Sequence, residues 1–207
     1  LGHILSVLSP GDGGQRLVHS SGLSESNRDF PTVVAEGVSL TEGRWYYEIE
    51  TRGKGYVQVG AVLGNGKFTC VSGRQTGVGN DARSWAVDLS GPKLFLAGKT
   101  SALTCAKWKE RDIVGVAIDL SGVHGGHASI AWTLNGTEVA RADLCRDSHY
   151  KHGEPIVPAA SVDVREAVFW RFEAAAQDEA AQTRSTSPES VRSEERRVGK
   201  ECLRLCR

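Results

Sequence analysis

The stretch SIAWTLNGTEVARADL (129–144) constrains the fold most, because it sets an Asn-Gly pair between two runs that have strand periodicity. Ile130, Trp132 and Leu134 alternate with smaller or polar residues, which places them on one face of a β-strand. Asn-Gly is the pair that a two-residue hairpin turn favours, since both turn positions need a positive φ. The stretch therefore predicts two antiparallel strands joined by a tight turn.

Comparable runs recur along the chain between turn signals, and together they predict about ten short strands. Besides the first hairpin, the predicted strands are RWYYEIET (44–51), GYVQVGAVLG (55–64), SWAVDL (84–89), KLFLAG (93–98), DIVGVAIDL (112–120), PIVPAASV (155–162) and EAVFWRFE (166–173). The Gly-rich TRGKG predicts a hairpin between the first two of these strands, and SGP predicts one between the next two. We therefore predict an all-β fold, a bent sandwich of two antiparallel sheets.

The C-terminal part of the sequence departs from this pattern. EAAAQDEAAQ (173–182) has helical composition with an apolar face of alanine alone, so we expect a short peripheral helix there. A disordered linker is expected to follow, and residues 192–207 begin with RSEERRVGKEC, which resembles the translation of a common sequencing-library adapter. We therefore expect this tail to be non-native and exclude it. Because the chain contains no Met and begins with Leu1, we also expect a fragment of a larger protein.

Charge and hydropathy argue against two classes of partner. Without residues 192–207, which contain six basic and three acidic residues, 19 basic and 22 acidic residues remain, a formal net charge of −3. Scattered charge of this kind gives no footprint for nucleic acid or for anionic membranes. No apolar run approaches the roughly 20 residues that a membrane-spanning helix needs. We expect neither a nucleic acid nor a membrane as partner of this part of the chain.

Three cysteines remain outside the excluded tail: Cys70, Cys105 and Cys145. An odd number at irregular spacing argues against a disulfide framework. We therefore expect a reducing compartment and an intracellular, cytoplasmic location.

A search for catalytic or metal-binding groups finds only weak candidates. Glu48 and Glu50 lie two residues apart on one strand, as carboxylates of sandwich glycosidases do, but alternating charge on a solvated face explains them. GNGK (64–67) lacks the earlier glycine and the Ser/Thr of a phosphate-binding loop. Scattered candidates for metal ligands, without paired spacing, are His124, His127, Cys145, His149 and His152. We expect no catalytic residue, no metal and no cofactor.

The aromatic residues divide according to their place in the strand pattern. Residues predicted to face the core are Trp45, Tyr47, Trp85, Trp132 and Phe169. Trp108 precedes a strand, and its position in the core or at the rim stays open.

Six motifs together resemble the SPRY domain family. They are GRWYYEIE, VQVGAV, GVGNDARSWAVDL, WKERDIVGVAIDLSG, SIAWTLNG and PIVPAASV, in the order and spacing of that family. The resemblance implies a concanavalin-like sandwich that binds peptides or partner domains through loops at one end, without catalysis. It leads us to divide the chain into an N-terminal extension with an edge strand (1–31), a SPRY-like domain (32–173), a weak helix with a disordered linker (174–191) and the non-native tail (192–207).

The resemblance also implies where a partner binds. Carried over by position, the partner-binding residues are Arg28, Asp29, Phe30, Lys67, Phe68, Arg74, Gln75, His149 and Tyr150. Several peptide-binding members carry an aromatic residue where this chain has Arg74, and a Trp near the position of Asp163. These differences favour an acidic or polar segment over the Asn-rich peptide of those members, unless the basic residues are ordinary solvated charges.

Three functions are carried forward from the sequence. The first is a protein-protein interaction module that binds a segment of a partner or of its own parent chain. The family occurs in ubiquitin ligases, adaptors, calcium-release channels and scaffolds, so recruitment of a ligase substrate is one such role. The second is a carbohydrate-binding concanavalin-like sandwich, for which Asn80-Asp81 is the one adjacent pair of Ca²⁺-ligand type. The third is a spacer without a ligand.

Overall fold

The computed structural model describes residues 15–19, 30, 32–35, 37–53, 55–64, 77–122, 125, 127–147, 150–151, 153–163 and 167–173. These residues form twelve strands and one helical turn. The elements are β1 (Gln15–His19), β2 (Thr32–Val34), β3 (Arg44–Thr51), β4 (Val57–Leu63), β5 (Ser84–Asp88), β6 (Lys93–Leu96), β7 (Lys99–Ala102), β8 (Ile113–Asp119), β9 (Ser129–Leu134), β10 (Thr137–Asp143), α1 (Leu144–Asp147), β11 (Ile156–Val162) and β12 (Ala167–Glu173).

The strands form two six-stranded sheets that pack face to face. The first sheet has the order β1-β12-β3-β8-β9-β10, and the second sheet has the order β2-β11-β4-β5-β6-β7. All neighbouring strands run antiparallel. The prediction of an all-β sandwich of two antiparallel sheets is therefore confirmed. The strand β1, close to the N-terminus, lies at the edge of the first sheet.

Two of the three predicted hairpins are present, and one prediction was wrong. β5 pairs with β6, and β9 pairs with β10, as the turn signals indicate. β3 and β4 do not pair: β3 lies between β12 and β8 in the first sheet, while β4 lies between β11 and β5 in the second. The short Gly-rich connection between them therefore crosses from one sheet to the other.

The turn between β9 and β10 has the geometry that its sequence predicts. Asn135 and Gly136 both have positive φ values, of 50° and 81°. The side chain of Asn135 also accepts a hydrogen bond from the Ile113 N–H at 2.9 Å and donates one to Asp112 Oδ1 at 3.0 Å. The hairpin is thereby fastened to the start of the neighbouring strand β8.

The core lies between the two sheets and contains most of the predicted aromatic residues. Tyr47, Trp85 and Trp132 are almost completely buried, as predicted, and Trp108 is buried with them. Trp45 is only partly buried, and it packs against this cluster as the prediction of an inward-facing residue requires. The side chain of Phe169 lies outside the described residues. Aromatic side chains thus fill the space between the sheets, where their apolar area is removed from water.

Three short elements were not predicted: β2, β7 and α1. The first two pair at opposite edges of the second sheet, and α1 follows β10 directly. The predicted C-terminal helix begins at Glu173, which is the last residue of β12, and its other residues lie outside the described part of the chain. Residues 1–14 and 174–207 also lie outside it. Among the described residues, no helix has the length and apolar character needed to cross a membrane.

Candidate functional site

The connection between β4 and β5 borders both other predicted partner-binding segments. It leaves β4 at Gly64, whose N–H donates a 2.6 Å hydrogen bond to the carbonyl of Pro155 in the β10–β11 connection. It returns at Gly77, where an added Cβ would lie 2.5 Å from Cε1 of Phe30. Gly77 lies beside Gln58, six residues along β4 from Gly64, so the two described ends are about 20 Å apart.

A second contact links the β4–β5 and β10–β11 connections. Arg83 Nη2 lies 3.6 Å from Glu154 Oε1, and both side chains are partly exposed. An ion pair of this kind adds little stability, on the order of 0–1 kcal/mol. The contact shows that the two connections lie beside each other at this end of the sandwich.

Of the nine predicted partner-binding residues, only Phe30 and Tyr150 lie within the described part of the chain. Phe30 is 7% exposed and lies against Gly77. Tyr150 is 6% exposed and meets the ring of Trp85 edge-on, with centroids 6.4 Å apart, and burial raises the pKa of its phenol. Phe30 thus borders the Gly77 end of the β4–β5 connection, whereas Tyr150 packs in the core against Trp85. The other seven predicted residues lie outside the described part of the chain: Arg28, Asp29, Lys67, Phe68, Arg74, Gln75 and His149.

A row of buried polar side chains crosses the outer face of the second sheet, next to Phe30 and Gly77. Its members occupy paired positions on four adjacent strands: Thr32, Ser161, Gln58 and Asp88. The hydroxyl oxygens of Thr32 and Ser161 are 2.7 Å apart, and Ser161 Oγ accepts a 2.9 Å hydrogen bond from Val78 N–H. Gln58 is 5% exposed, and its Oε1 has no hydrogen-bond partner among the described residues.

The sequence pattern does not identify this polar row. Gln58 and Tyr56 alternate with Val57 and Val59, which is typical of a half-solvated strand. Gln58 is nevertheless buried, because Phe30 and Gly77 cover it. Among the described residues, Tyr56 is the large hydrophobic residue that is exposed to solvent. It lies just before β4, two residues from Gln58. The sequence signal for this polar row was the presence of Tyr56 and Gln58, two residues apart, in a strand that is otherwise aliphatic.

The turn from Gly77 to Ser84 shapes the border of this surface. Gly77 N–H donates to Asn80 Oδ1 at 2.9 Å, and Asp81 Oδ1 accepts from Ser84 Oγ at 2.6 Å. Gly79 has a φ of +94°, and a side chain there would collide with Phe95. Asn80 and Asp81, the pair considered above for Ca²⁺, therefore bind groups of their own turn.

The other candidate groups occupy scattered structural positions. Glu48 accepts a 2.9 Å hydrogen bond from the Tyr46 hydroxyl. Glu50 was expected on a solvated face, but it is 7% exposed and lies 3.1 Å from Arg52 Nη2, so that expectation was wrong. Within the ranges that the structure describes, no three His, Cys, Asp or Glu side chains are grouped as metal ligands. His124, His149 and His152 lie outside those ranges.

Comparisons with known proteins point to one fold. A family model described as SPRY domain matches residues 44–174, more than half of the chain. The chain is similar to a crystal structure of a human SPRY domain, with a TM-score of 0.53 and 21% sequence identity, over 68% of this chain and 82% of that chain. At this identity the structural similarity shows the fold alone. No curated protein sequence matches the chain.

Proposed function

Because the chain belongs to the SPRY domain family, whose members are generally protein-interaction modules, we propose that it binds a short segment of a partner protein or of its own parent chain. The binding surface is the outer face of the second sheet at the β4–β5 connection. Its three borders are the Phe30 segment, the β4–β5 connection and the β10–β11 connection.

The contacts at the two ends of the β4–β5 connection carry this proposal. Gly64 adjoins Pro155 at one end, and Gly77 adjoins Phe30 at the other. The three segments that the family resemblance selects are far apart in the sequence, yet described residues of the other two segments each contact one end of this connection. Rigid strands that hold loops in fixed positions favour recognition, because little ordering is needed on binding.

The chemistry of this surface favours a polar or acidic segment in extended conformation. Arg28, Lys67 and Arg74 supply cationic groups, provided that they lie along the same border. The exposed ring of Tyr56 offers an apolar contact. Tyrosine is enriched at protein interfaces, because it combines a large apolar area with a polar group.

We extend the proposal to context and compartment. The module acts by binding, without catalysis, as a recruiting part of a larger protein such as a ubiquitin ligase, an adaptor or a scaffold. Cys105 and Cys145 are free thiols, which supports an intracellular, reducing compartment.

The test is a selection of random twelve-residue peptides displayed on phage against the full chain. Enriched peptides are synthesised, and their Kd is measured by fluorescence polarisation. We expect binding at least about tenfold weaker for the triple variant Arg28→Ala/Phe68→Ala/Arg74→Ala, and also weaker for Tyr56→Ala.

A matched triple variant controls for the general loss of side chains and charge. The variant Lys99→Ala/Thr104→Ala/Lys107→Ala alters exposed residues on β7 and just after it. Because β7 is the edge strand of the second sheet, this variant should leave the Kd unchanged. Equal binding by wild type and by the Arg28/Phe68/Arg74 variant would refute the proposed surface. A selection that enriches no peptide would count against peptide binding altogether.

A further inference from the structure

The turn between β9 and β10 carries chemistry that the proposed binding surface does not use. Asparagine followed by glycine is prone to deamidation, because glycine has no side chain to hinder attack by its own backbone nitrogen. Asn135, Gly136 and Thr137 are all exposed, and a Cβ built on Gly136 meets nothing within 4 Å. Water and a rearranging backbone therefore have room at this turn.

Deamidation of this pair needs only the chain itself and water. The Gly136 nitrogen attacks Cγ of Asn135, so that a new C–N bond forms while the bond from Cγ to Nδ2 breaks. The proton of the Gly136 N–H leaves with Nδ2, which releases ammonia and leaves a five-membered succinimide. Water then opens this ring at either carbonyl, and the product is aspartate or isoaspartate at position 135. Both products carry a carboxylate in place of a neutral amide.

In the folded domain, the side chain of Asn135 takes part in the hydrogen bonding between β8 and β9. The last paired residues of the two strands are Val114 and Leu134. One position further on, the Asn135 N–H donates to the Ile113 carbonyl at 2.8 Å, and the Ile113 N–H donates to Asn135 Oδ1 at 2.9 Å. The side-chain oxygen thus acts as a backbone carbonyl would, and it extends the antiparallel ladder by one residue pair.

The amide nitrogen of Asn135 is held by the carboxylate of Asp112. Nδ2 donates to Asp112 Oδ1 at 3.0 Å, while Asp112 Oδ2 accepts a 2.6 Å hydrogen bond from the Lys109 N–H. The backbone carbonyl of Asp112 also accepts from the Thr51 N–H at 3.0 Å. A single amide therefore links the β9–β10 turn to the β7–β8 connection and, through it, to the end of β3.

These contacts oppose deamidation for as long as the turn stays closed. Attack on Cγ requires the amide to rotate toward the Gly136 nitrogen and its planar carbon to become tetrahedral. Both changes break the hydrogen bonds of Oδ1 and Nδ2, and the bond from the Asn135 N–H to Ile113 resists rotation of the backbone. Losing two ordinary hydrogen bonds slows such a step by roughly tenfold or more.

The product of deamidation cannot restore these contacts. An aspartate at position 135 still accepts from the Ile113 N–H, but its second oxygen replaces Nδ2, which lies 3.0 Å from Asp112 Oδ1. Two carboxylates at this separation repel each other, and neither has a hydrogen to donate. Isoaspartate also adds one carbon to the backbone between the turn residues, which disturbs the register of β9 and β10.

We propose that Asn135 is a deamidation site that the folded domain protects, and that its conversion releases the β9–β10 turn from β8. The co-reactant is water, and the reaction proceeds when the turn opens. A converted domain is less stable than the original one, and no step of folding reverses the covalent change. This inference does not depend on the proposed binding surface.

The first test measures the rate of conversion in the full chain at neutral pH, with and without denaturing urea. Peptide mapping by mass spectrometry separates Asn135 from the other Asn-Gly pair of the sequence, Asn65-Gly66. We expect conversion of Asn135 to be at least about tenfold faster in urea. In folded protein, Asp112→Ala should raise the rate about threefold or more, because it removes the acceptor of Nδ2. The control Glu110→Ala removes an exposed carboxylate of the same connection and should leave the rate unchanged.

The second test measures the effect of the product on stability. Asn135→Asp should lower the urea midpoint of unfolding by about 0.5 M or more, because it places two carboxylates in contact. In the background of Asp112→Asn the same change should lower the midpoint less, since an amide at position 112 can donate to the new carboxylate. If circular dichroism shows that Asp112→Ala is unfolded, the comparison of wild type with and without urea decides whether folding protects Asn135.

Three results would overturn the proposal. The first is conversion of Asn135 in folded protein as fast as in urea or faster, which would mean that the Ile113 N–H stabilises the oxygen during attack. The second is the absence of conversion at Asn135 in urea. The third is an unchanged urea midpoint for Asn135→Asp, or a loss that is the same with and without Asp112→Asn, because the contact with Asp112 then has no part in the effect.

Discussion

The indole Nε1 of Trp132, in the first sheet, donates a 2.9 Å hydrogen bond to the carbonyl oxygen of Val59, in the second sheet. The hydroxyl of Tyr47 makes a parallel connection from β3 to the carbonyl oxygen of Gly60. Two adjacent carbonyl groups of β4 thus receive donors from the opposite sheet. Both donors are completely buried, so these bonds fix how the two sheets face each other as well as satisfying polar groups.

Removing the indole donor should destabilise the domain strongly. Trp132→Phe leaves a carbonyl without its donor in a dry core and also reduces the volume of a fully buried side chain. We expect the free energy of unfolding to fall by about 2–4 kcal/mol, measured by urea denaturation followed by circular dichroism. The matched control is Trp45→Phe, because the Trp45 indole is partly exposed and bonds locally to the Glu42 carbonyl. Equal losses for the two variants would contradict a special role for the bond between the sheets.

Tyr47 should limit stability in alkali. Burial raises the pKa of its phenol well above the ordinary value of 10.0. A raised pKa in the folded state means that the neutral phenol stabilises the fold fully below the ordinary pKa, and that this contribution is lost as pH rises through the folded pKa. Ultraviolet titration of the four tyrosines should therefore show one that ionises only with unfolding. Tyr47→Phe should abolish that step and Tyr56→Phe should not; a reversible ionisation of Tyr47 in folded protein would refute the prediction.

Turn chemistry explains which parts of the fold were predictable from the sequence. Asn135-Gly136 specifies a tight turn through local φ preferences alone, so the β9–β10 hairpin is readable from sixteen residues. TRGKG carries similar glycines, yet it connects two sheets. A short connection reverses the chain in both cases, and only the packing of both flanking strands against the core decides which strand each one pairs with.

The candidate surface was less predictable, because it depends on contacts between distant segments. Gln58 follows the pattern of an exposed position, and its burial arises from Phe30 and Gly77, which lie 28 residues before it and 19 residues after it.

Asp119 should contribute to stability in a pH-dependent manner. Partial burial raises the pKa of its carboxyl, but hydrogen bonds from Ser121 and the charge of Arg44 outweigh this effect and lower the pKa below the ordinary value of 3.8. The stabilisation is therefore present above the ordinary pKa and is lost as pH falls through the lower folded pKa. Asp119→Asn should reduce the free energy of unfolding at pH 7 and have less effect near pH 2.5, as measured by urea denaturation at both values.

The Ser121 hydroxyl provides a control for this carboxylate. Ser121→Ala removes the 2.5 Å hydrogen bond to Asp119 Oδ1 and keeps the charge. The carboxyl pKa, followed by nuclear magnetic resonance, should move upward toward its ordinary value in this variant. An unchanged pKa would show that the hydroxyl does not contribute to the shift. A loss of stability in Asp119→Asn that is the same at both pH values would mean that its effect is one of packing.

The variant Gly77→Ala should reduce both the stability of the domain and the binding of peptides at the β4–β5 connection. An added Cβ would lie 2.0 Å from Gln58 Oε1 and 2.5 Å from Phe30 Cε1, so Gly77→Ala forces both side chains to move. We expect a loss of about 1–3 kcal/mol in the free energy of unfolding, typical of added volume at a packed position. Peptides selected on the outer face of the second sheet should also bind more weakly, because Phe30 supports one border of that face.

Two variants separate local displacement from the general effect of the added methyl group. Gly91→Ala introduces the same group where no atom lies within 4 Å, and it should leave stability and binding nearly unchanged. Gly77→Ala/Phe30→Leu shortens the side chain that Gly77→Ala displaces and should recover part of the lost stability, because the branched leucine side chain leaves room for the methyl group. If the double variant is as unstable as the sum of its single variants, Phe30 does not lie against Gly77 in solution. Peptide affinity that is unaffected by Gly77→Ala would separate the Phe30 segment from the binding surface.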